Sequence, residues 1–209
     1  MKRYHRPVTP AEVSPAISSL CSHIVLDTLP FFVDVRPKED EDANECFHVV
    51  RRQVAAFGGE AVIGWSIWEL PSVFVEAEFH SVWRSPEGKY IDFTRKNSAT
   101  ARILFLPDPH RSYEGRPLNN CRKALTDEPV VHEWFEALDA KYELMNRGGR
   151  AFEHGKVLLE GREAAEYNAI EEAIEELGLR VLAFHPYVGP YLPCVCGSGK
   201  KAKWCHGAK

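Results

Sequence analysis

The apolar positions of this chain change period several times, and the changes divide it into elements. Phe47, Val50, Val54 and Phe57 recur at helical spacing on one face, with Asn44 as an expected N-cap and Gly58-Gly59 as the stop. Phe31–Val35, Ala61–Trp68, Val73–Trp83 and Lys89–Thr94 are rich in β-branched and aromatic residues and predict strands. A short helix is expected over 9–24, and Lys38–Asp42 is an acidic loop. The Pro-rich stretch 105–117 reads as an ordered loop or lid. Val130–Met145, opened by Pro129, and Glu163–Leu177, stopped by Gly178, predict two helices, and Val181–Phe184 a last strand. Strands in the first half and helices in the second predict an α+β fold. The expected division is an α+β core over 1–125, a helical extension over 126–184 packed on it, a linker over 185–192 and a tail over 193–209.

One hairpin can be read to its register. Pro86-Glu87-Gly88 fits a three-residue loop with Gly88 at the left-handed position. Ser85 then pairs with Lys89, Val82 with Asp92 and His80 with Thr94. Phe79, Trp83, Ile91 and Phe93 share one face and are expected to form the core. His80 and Asp92 share the other as diagonal neighbours, close enough for a carboxylate to orient an imidazole. A slip of one residue would separate them.

Composition adds class and compartment. The 209 residues are 44% hydrophobic and 27% charged, as in an ordinary globular protein. MKRYHRPVTP is basic with no apolar run after it, so no signal peptide is expected. No stretch approaches the ~20 apolar residues of a membrane span. The expected location is the cytoplasm, where clustered cysteines hold metal more often than they form disulfides.

The net charge of −4 is uneven. The tail carries Lys200, Lys201, Lys203 and Lys209 and no acid. Taking those four from 26 basic residues leaves 22 against 30 acidic ones, a net −8 for the body. A basic tail suggests an anionic partner, while the acidic body disfavours broad nucleic-acid binding.

Three of the six cysteines lie in PCVCGSGKKAKWCHG, residues 193–207. Cys194 and Cys196 can turn inward from a bend that Gly197 and Gly199 allow, and Cys205-His206 supply two more ligands. Three thiolates and an imidazole make a closed, structural Zn²⁺ site, and metal binding would fold so short a tail. The run resembles the SEC-C motif, named for the C-terminus of the bacterial preprotein-translocase motor. It matches at every ligand and at Gly197, Ser198, Gly199, Lys201 and Lys203, with Val195 and Ala202 where a proline and an aromatic are usual. The resemblance implies docking on a protein partner such as a chaperone or the ribosome. GSGKK is not a phosphate loop, since Cys194 stands where its first glycine belongs and Lys201 where its hydroxyl belongs.

In the body, Cys46 falls in the first turn of the helix, where free N–H groups and the helix dipole favour a thiolate. The plainer reading is a small buried hydrophobe. The order Cys46, Gly58-Gly59 with its strand to Trp65, His80-Ser-Val-Trp83, Asp92-Phe-Thr94 resembles the transglutaminase-like branch of the papain-like cysteine enzymes. That resemblance implies an antiparallel sheet with helices, with Cys46 as nucleophile, His80 as base and Asp92 as the orienting acid. The glycine and tryptophan that usually flank the nucleophile are replaced by Asn44, Glu45 and Phe47. Glu76, Glu78 and His80 alternate along one strand face, which admits a metal site or a solvated face. Two functions follow: a thiol hydrolase or acyl transferase on a protein or peptide amide, or a non-catalytic zinc-binding adaptor for protein, ribosome or nucleic acid.

Overall fold

The computed structural model describes residues 7–38, 45–96, 100–116, 118–152, 157–183, 200, 201 and 204. The elements in order are α1 (Pro15–Ile24), β1 (Phe31–Val35), α2 (Cys46–Phe57), β2 (Glu60–Leu70), β3 (Phe74–Arg84), β4 (Tyr90–Asp92), β5 (Arg102–Pro107), β6 (Cys121–Ala124), α3 (Pro129–Met145) and α4 (Gly161–Ala183). A 3₁₀ turn, Gly148–Phe152, lies between the last two helices.

The strands run β2-β5-β1-β4-β3-β6, and β2 also pairs with β3 along its whole length, from Glu60↔Arg84 to Leu70↔Phe74. That last pairing closes β2, β5, β1, β4 and β3 into a five-stranded barrel, with β6 attached to the outer edge of β3. The expected antiparallel sheet is therefore corrected to a mixed barrel, because β1 and β4 are parallel.

Closure changes what the second face of each strand does. Val33, Val62, Val82, Ile103, Phe105, Trp68 and Tyr90 pack together, drawn from all five barrel strands and from no helix. They fill the interior. The outward face of β2, β3 and β5 supplies Trp65, Ile67, Val75, Ala77, Phe79, Leu104 and Leu106, which pack with Ile17, Leu20 and Cys21 of α1. The face of β3 expected to lie open beside His80 is thus a second core.

Several other expectations change for identifiable reasons. α1 starts at Pro15, not near residue 9, since Ser14 caps the Ile17 amide and proline occupies the first turn. Residues 105–107, read as loop, end strand β5, and four consecutive apolar residues, Ile103–Leu106, are buried on alternating faces. α4 runs through Gly178 to Ala183. Gly178 serves packing: a Cβ there would sit 3.3 Å from Trp134 Nε1. The strand expected at 181–184 is helix over 181–183. Its Val181 is buried with Leu70, Phe74 and Val130, docking α3 and α4 on the β2–β3 end of the barrel. Ion pairs Arg147–Glu166 and Lys141–Glu171 tie the two antiparallel helices. Among the described residues no helix is long and apolar enough to cross a membrane.

Gly64 lies opposite His80 in the β2–β3 ladder. A Cβ there would fall 2.2 Å from the Leu106 carbonyl and 2.7 Å from the Phe105 ring. Neither backbone nor a buried ring can give way. Gly64→Ala should therefore destabilise the fold by about 3 kcal/mol or more, read as a lower urea midpoint with the denaturant slope unchanged.

Candidate functional site

The hairpin that carries His80 and Asp92 has the register expected of it. Trp83 pairs with Ile91 and Arg84 with Tyr90. Ser85 N–H donates to the Lys89 carbonyl at 2.8 Å, and Gly88, at φ +84°, closes the loop. His80 and Asp92 consequently meet, with Nε2 3.0 Å from Oδ2. The Thr94 amide donates to the other carboxylate oxygen at 2.8 Å, which fixes the plane of the carboxylate.

Sequence reasoning missed Lys96. Its ammonium lies 2.8 Å from Asp92 Oδ2 and 3.2 Å from His80 Nε2. Among the described residues, the side-chain contacts of the imidazole, to Asp92 and Lys96, both fall on Nε2. The three side chains are 3%, 0% and 9% exposed. No pattern of residue types marks a lysine that folds back under a strand end; only the tertiary structure brings it there.

Burial and the Lys96 ammonium press the imidazolium towards losing its proton. The Asp92 carboxylate, the charge of Cys46 and the hydrogen bond that His80 donates to Asp92 oppose them and prevail, raising His80 to about 9. Burial opposes the charge on Asp92 as well, but His80 and Lys96 hold the carboxyl well below its usual range.

Cys46 is the first residue of α2, one position earlier than expected. Glu45 takes the cap position without a side-chain cap bond, and Asn44 lies outside the described residues. The thiol is 4% exposed and near enough for its charge to act on His80. Packing fixes this helix start: the Phe47 ring stacks on Tyr113 at 3.8 Å and leans on Phe79 at 5.1 Å. Burial pushes the other two body thiols up, Cys21 to about 11 and Cys121 less far.

Tyr113 belongs to the Pro-rich segment expected to form a lid. That segment is anchored by Asp108, a buried carboxylate accepting from Trp65 Nε1 at 3.0 Å and from the His110 amide at 3.1 Å. Between it, α2 and the outer face of β2 and β3 lies a cleft of about 480 Å³, with Phe47, Ile63, Ser81 and Tyr113 in its walls and Arg51 and Arg111 among its lining.

The alternating carboxylates of β3 have protein partners. Glu76 accepts from Arg122 at 2.8 Å and Asn120 at 2.7 Å, and Glu78 from Trp68 at 2.9 Å. They are cross-strand hydrogen-bond partners rather than a solvated face. The four expected zinc ligands, Cys194, Cys196, Cys205 and His206, lie outside the described residues.

Comparisons with protein families, with curated protein sequences and with solved structures returned no match. The geometry of the site stands on its own.

A pH dependence follows from the buried pair. His80 is raised in the folded chain, so its contribution to stability is complete below the ~6.5 of a free imidazole and is lost as pH climbs through about 9. Asp92 is lowered, so its contribution is present above the ordinary carboxylate value of 3.8 and is lost as pH falls below it. Chemical unfolding should show a stability plateau between about pH 4 and pH 6.5. His80→Gln should lower that plateau by on the order of 3 kcal/mol and flatten the fall above it.

Proposed function

We propose that the chain is a thiol hydrolase or acyl transferase of the transglutaminase-like kind, acting on a protein or peptide amide. The observation that carries this reading is the buried His80–Asp92 hydrogen bond, made on Nε2, with Cys46 near enough for its charge to act on the ring. In the proposed cycle the Cys46 thiolate attacks the amide carbon, and the C–N bond breaks as His80 gives its proton to the departing amine. A thioester remains. Water or an acceptor amine then attacks it, His80 takes the proton, and the thiolate leaves. Asp92 keeps the ring oriented through both halves. The cleft bounded by Tyr113 and by Phe47, the neighbour of Cys46, lies on the opposite face of β3 from His80; a substrate chain docked there would meet apolar walls suiting a side chain and arginines suiting an acidic neighbour.

The tail is the second part of the proposal. Cys194, Cys196, Cys205 and His206 hold one structural Zn²⁺ in a SEC-C module, whose lysines dock on an anionic face of a protein partner, a chaperone or the ribosome. The adaptor reading is favoured by one observation: Cys46 is almost wholly covered, as a structural cysteine would be.

Alkylation kinetics separate the two. Iodoacetamide at about pH 6.5, with zinc kept bound, should label Cys46 well ahead of Cys21 and Cys121, whose thiols are pushed up by burial. His80→Ala should slow Cys46 labelling tenfold or more, on the order of the effect of a paired base, and Asp92→Asn should slow it less. Equal, sluggish labelling that ignores His80→Ala would establish the adaptor reading.

Elemental analysis tests the tail independently. One zinc per chain is expected, lost in the Cys194→Ser/Cys205→Ser double variant without change in the melting of the barrel. A metal-free protein after zinc addition would remove the SEC-C proposal.

A further inference from the structure

Lys96 has no task in the proposed cycle, yet its ammonium occupies the centre of the site. Asp92 Oδ2, His80 Nε2 and Lys96 Nζ form a triangle with sides of 3.0, 2.8 and 3.2 Å. The carboxylate has one negative charge to share between two bases. Among the described residues, the other groups facing His80 come from three elements. α2 contributes Cys46, β2 contributes Gly64 directly opposite, and β5 contributes the Phe105 ring over that glycine. Further along β3 itself, Glu78 is bonded to Trp68. An ammonium on Asp92 therefore takes up part of its charge, and a Cys46 thiolate is the second counter-charge available to an imidazolium here.

We propose that Lys96 is a positioning residue that neutralises Asp92, so that His80 keeps its proton only while Cys46 is a thiolate. This rests on the Cys46–His80 pairing proposed above. It gives the cycle a trigger. As the Cys46 sulfur bonds to the amide carbon its charge is lost, and with Asp92 shared with Lys96 the proton on His80 is held less tightly and passes to the departing amine. The neutral imidazole is then ready to accept a proton from water or an acceptor amine. Without Lys96, Asp92 would hold the imidazolium more tightly and delay the transfer of its proton to the departing amine. The charges act in these directions, since the Lys96 ammonium disfavours a proton on His80 while the Asp92 carboxylate and the charge of Cys46 favour it.

The charge state of His80 can be read by NMR of ¹⁵N-histidine-labelled full-length protein at pH 7, its resonances assigned with His80→Gln. Iodoacetamide-blocked Cys46 stands in for the acylated enzyme, because carboxamidomethylation also removes the thiolate charge. In the wild type, His80 should be charged before blocking and neutral after it, its midpoint falling below the ~6.5 of a free imidazole. In Lys96→Gln and Lys96→Met it should stay charged after blocking, and Lys96→Arg should restore the wild-type response. Two neutral variants guard against one that fails to fold. A ring that becomes neutral on blocking in Lys96→Gln as well, or stays charged in the blocked wild type, would overturn the role of Lys96. A ring indifferent to blocking in every variant would instead overturn the Cys46–His80 pairing, and the role of Lys96 with it.

Discussion

The site depends on how β3 is shared. One edge of this strand is paired with β2 over its whole length, while the other is divided, with β6 along Phe74–Ala77 and β4 at Trp83 and Arg84. Between those partners, residues 78–82 have no strand on that edge among the described residues. His80 sits in the middle of the interval. Full pairing on one side fixes the face that His80 presents, and on the other side the paired strands part at its position.

Closing the barrel sets the electrostatics. An open sheet would have left the His80 face to water, where an exposed ion pair is worth about 1 kcal/mol or less. Inside the barrel the same groups are nearly dry, and isolated charges there would be expensive. The structure meets that cost by clustering: Asp92 accepts from the Thr94 amide and is met by both His80 and Lys96. A dry, fully partnered cluster responds strongly to the loss of any one charge, which is why His80 is displaced so far from a free imidazole.

What could be read in the sequence was local. The three-residue loop of the β3–β4 hairpin dictates the register, and the register dictates that His80 meets Asp92, so this pair was legible without tertiary information. The helix starting near Cys46 was legible for a similar reason, being written in a 3.6-residue period. Barrel closure was not legible, because alternation along a strand cannot say whether its second face meets water or another strand of the same sheet. β5 was hidden in the same way: it is buried on both faces, so it has no period to detect. Gly178 misled because a glycine that admits a tryptophan ring and a glycine that ends a helix look alike in sequence. Lys96 depends on all of this, since its place against Asp92 exists only once β4 is paired inside the barrel.

The position of Cys46 is the last link, and it does not come from helix capping, because Glu45 makes no cap bond. It is reached instead through a circuit of contacts that runs from His80 to Cys46. His80 lies opposite Gly64 in the ladder, and Trp65, the next residue, reaches the buried Asp108 with its indole N–H. Asp108 secures the turn that leads to Tyr113, and Tyr113 stacks on Phe47, the neighbour of Cys46. Phe79, one residue before His80, touches both Phe47 and Trp65 and braces the circuit across its middle. Each step is a ring contact or a buried hydrogen bond rather than a flexible surface pair. The helix start is thereby tied to the histidine strand through the Pro-rich segment, and a ligand entering the cleft would bear directly on Phe47 and Tyr113, the contacts that hold the thiol in place.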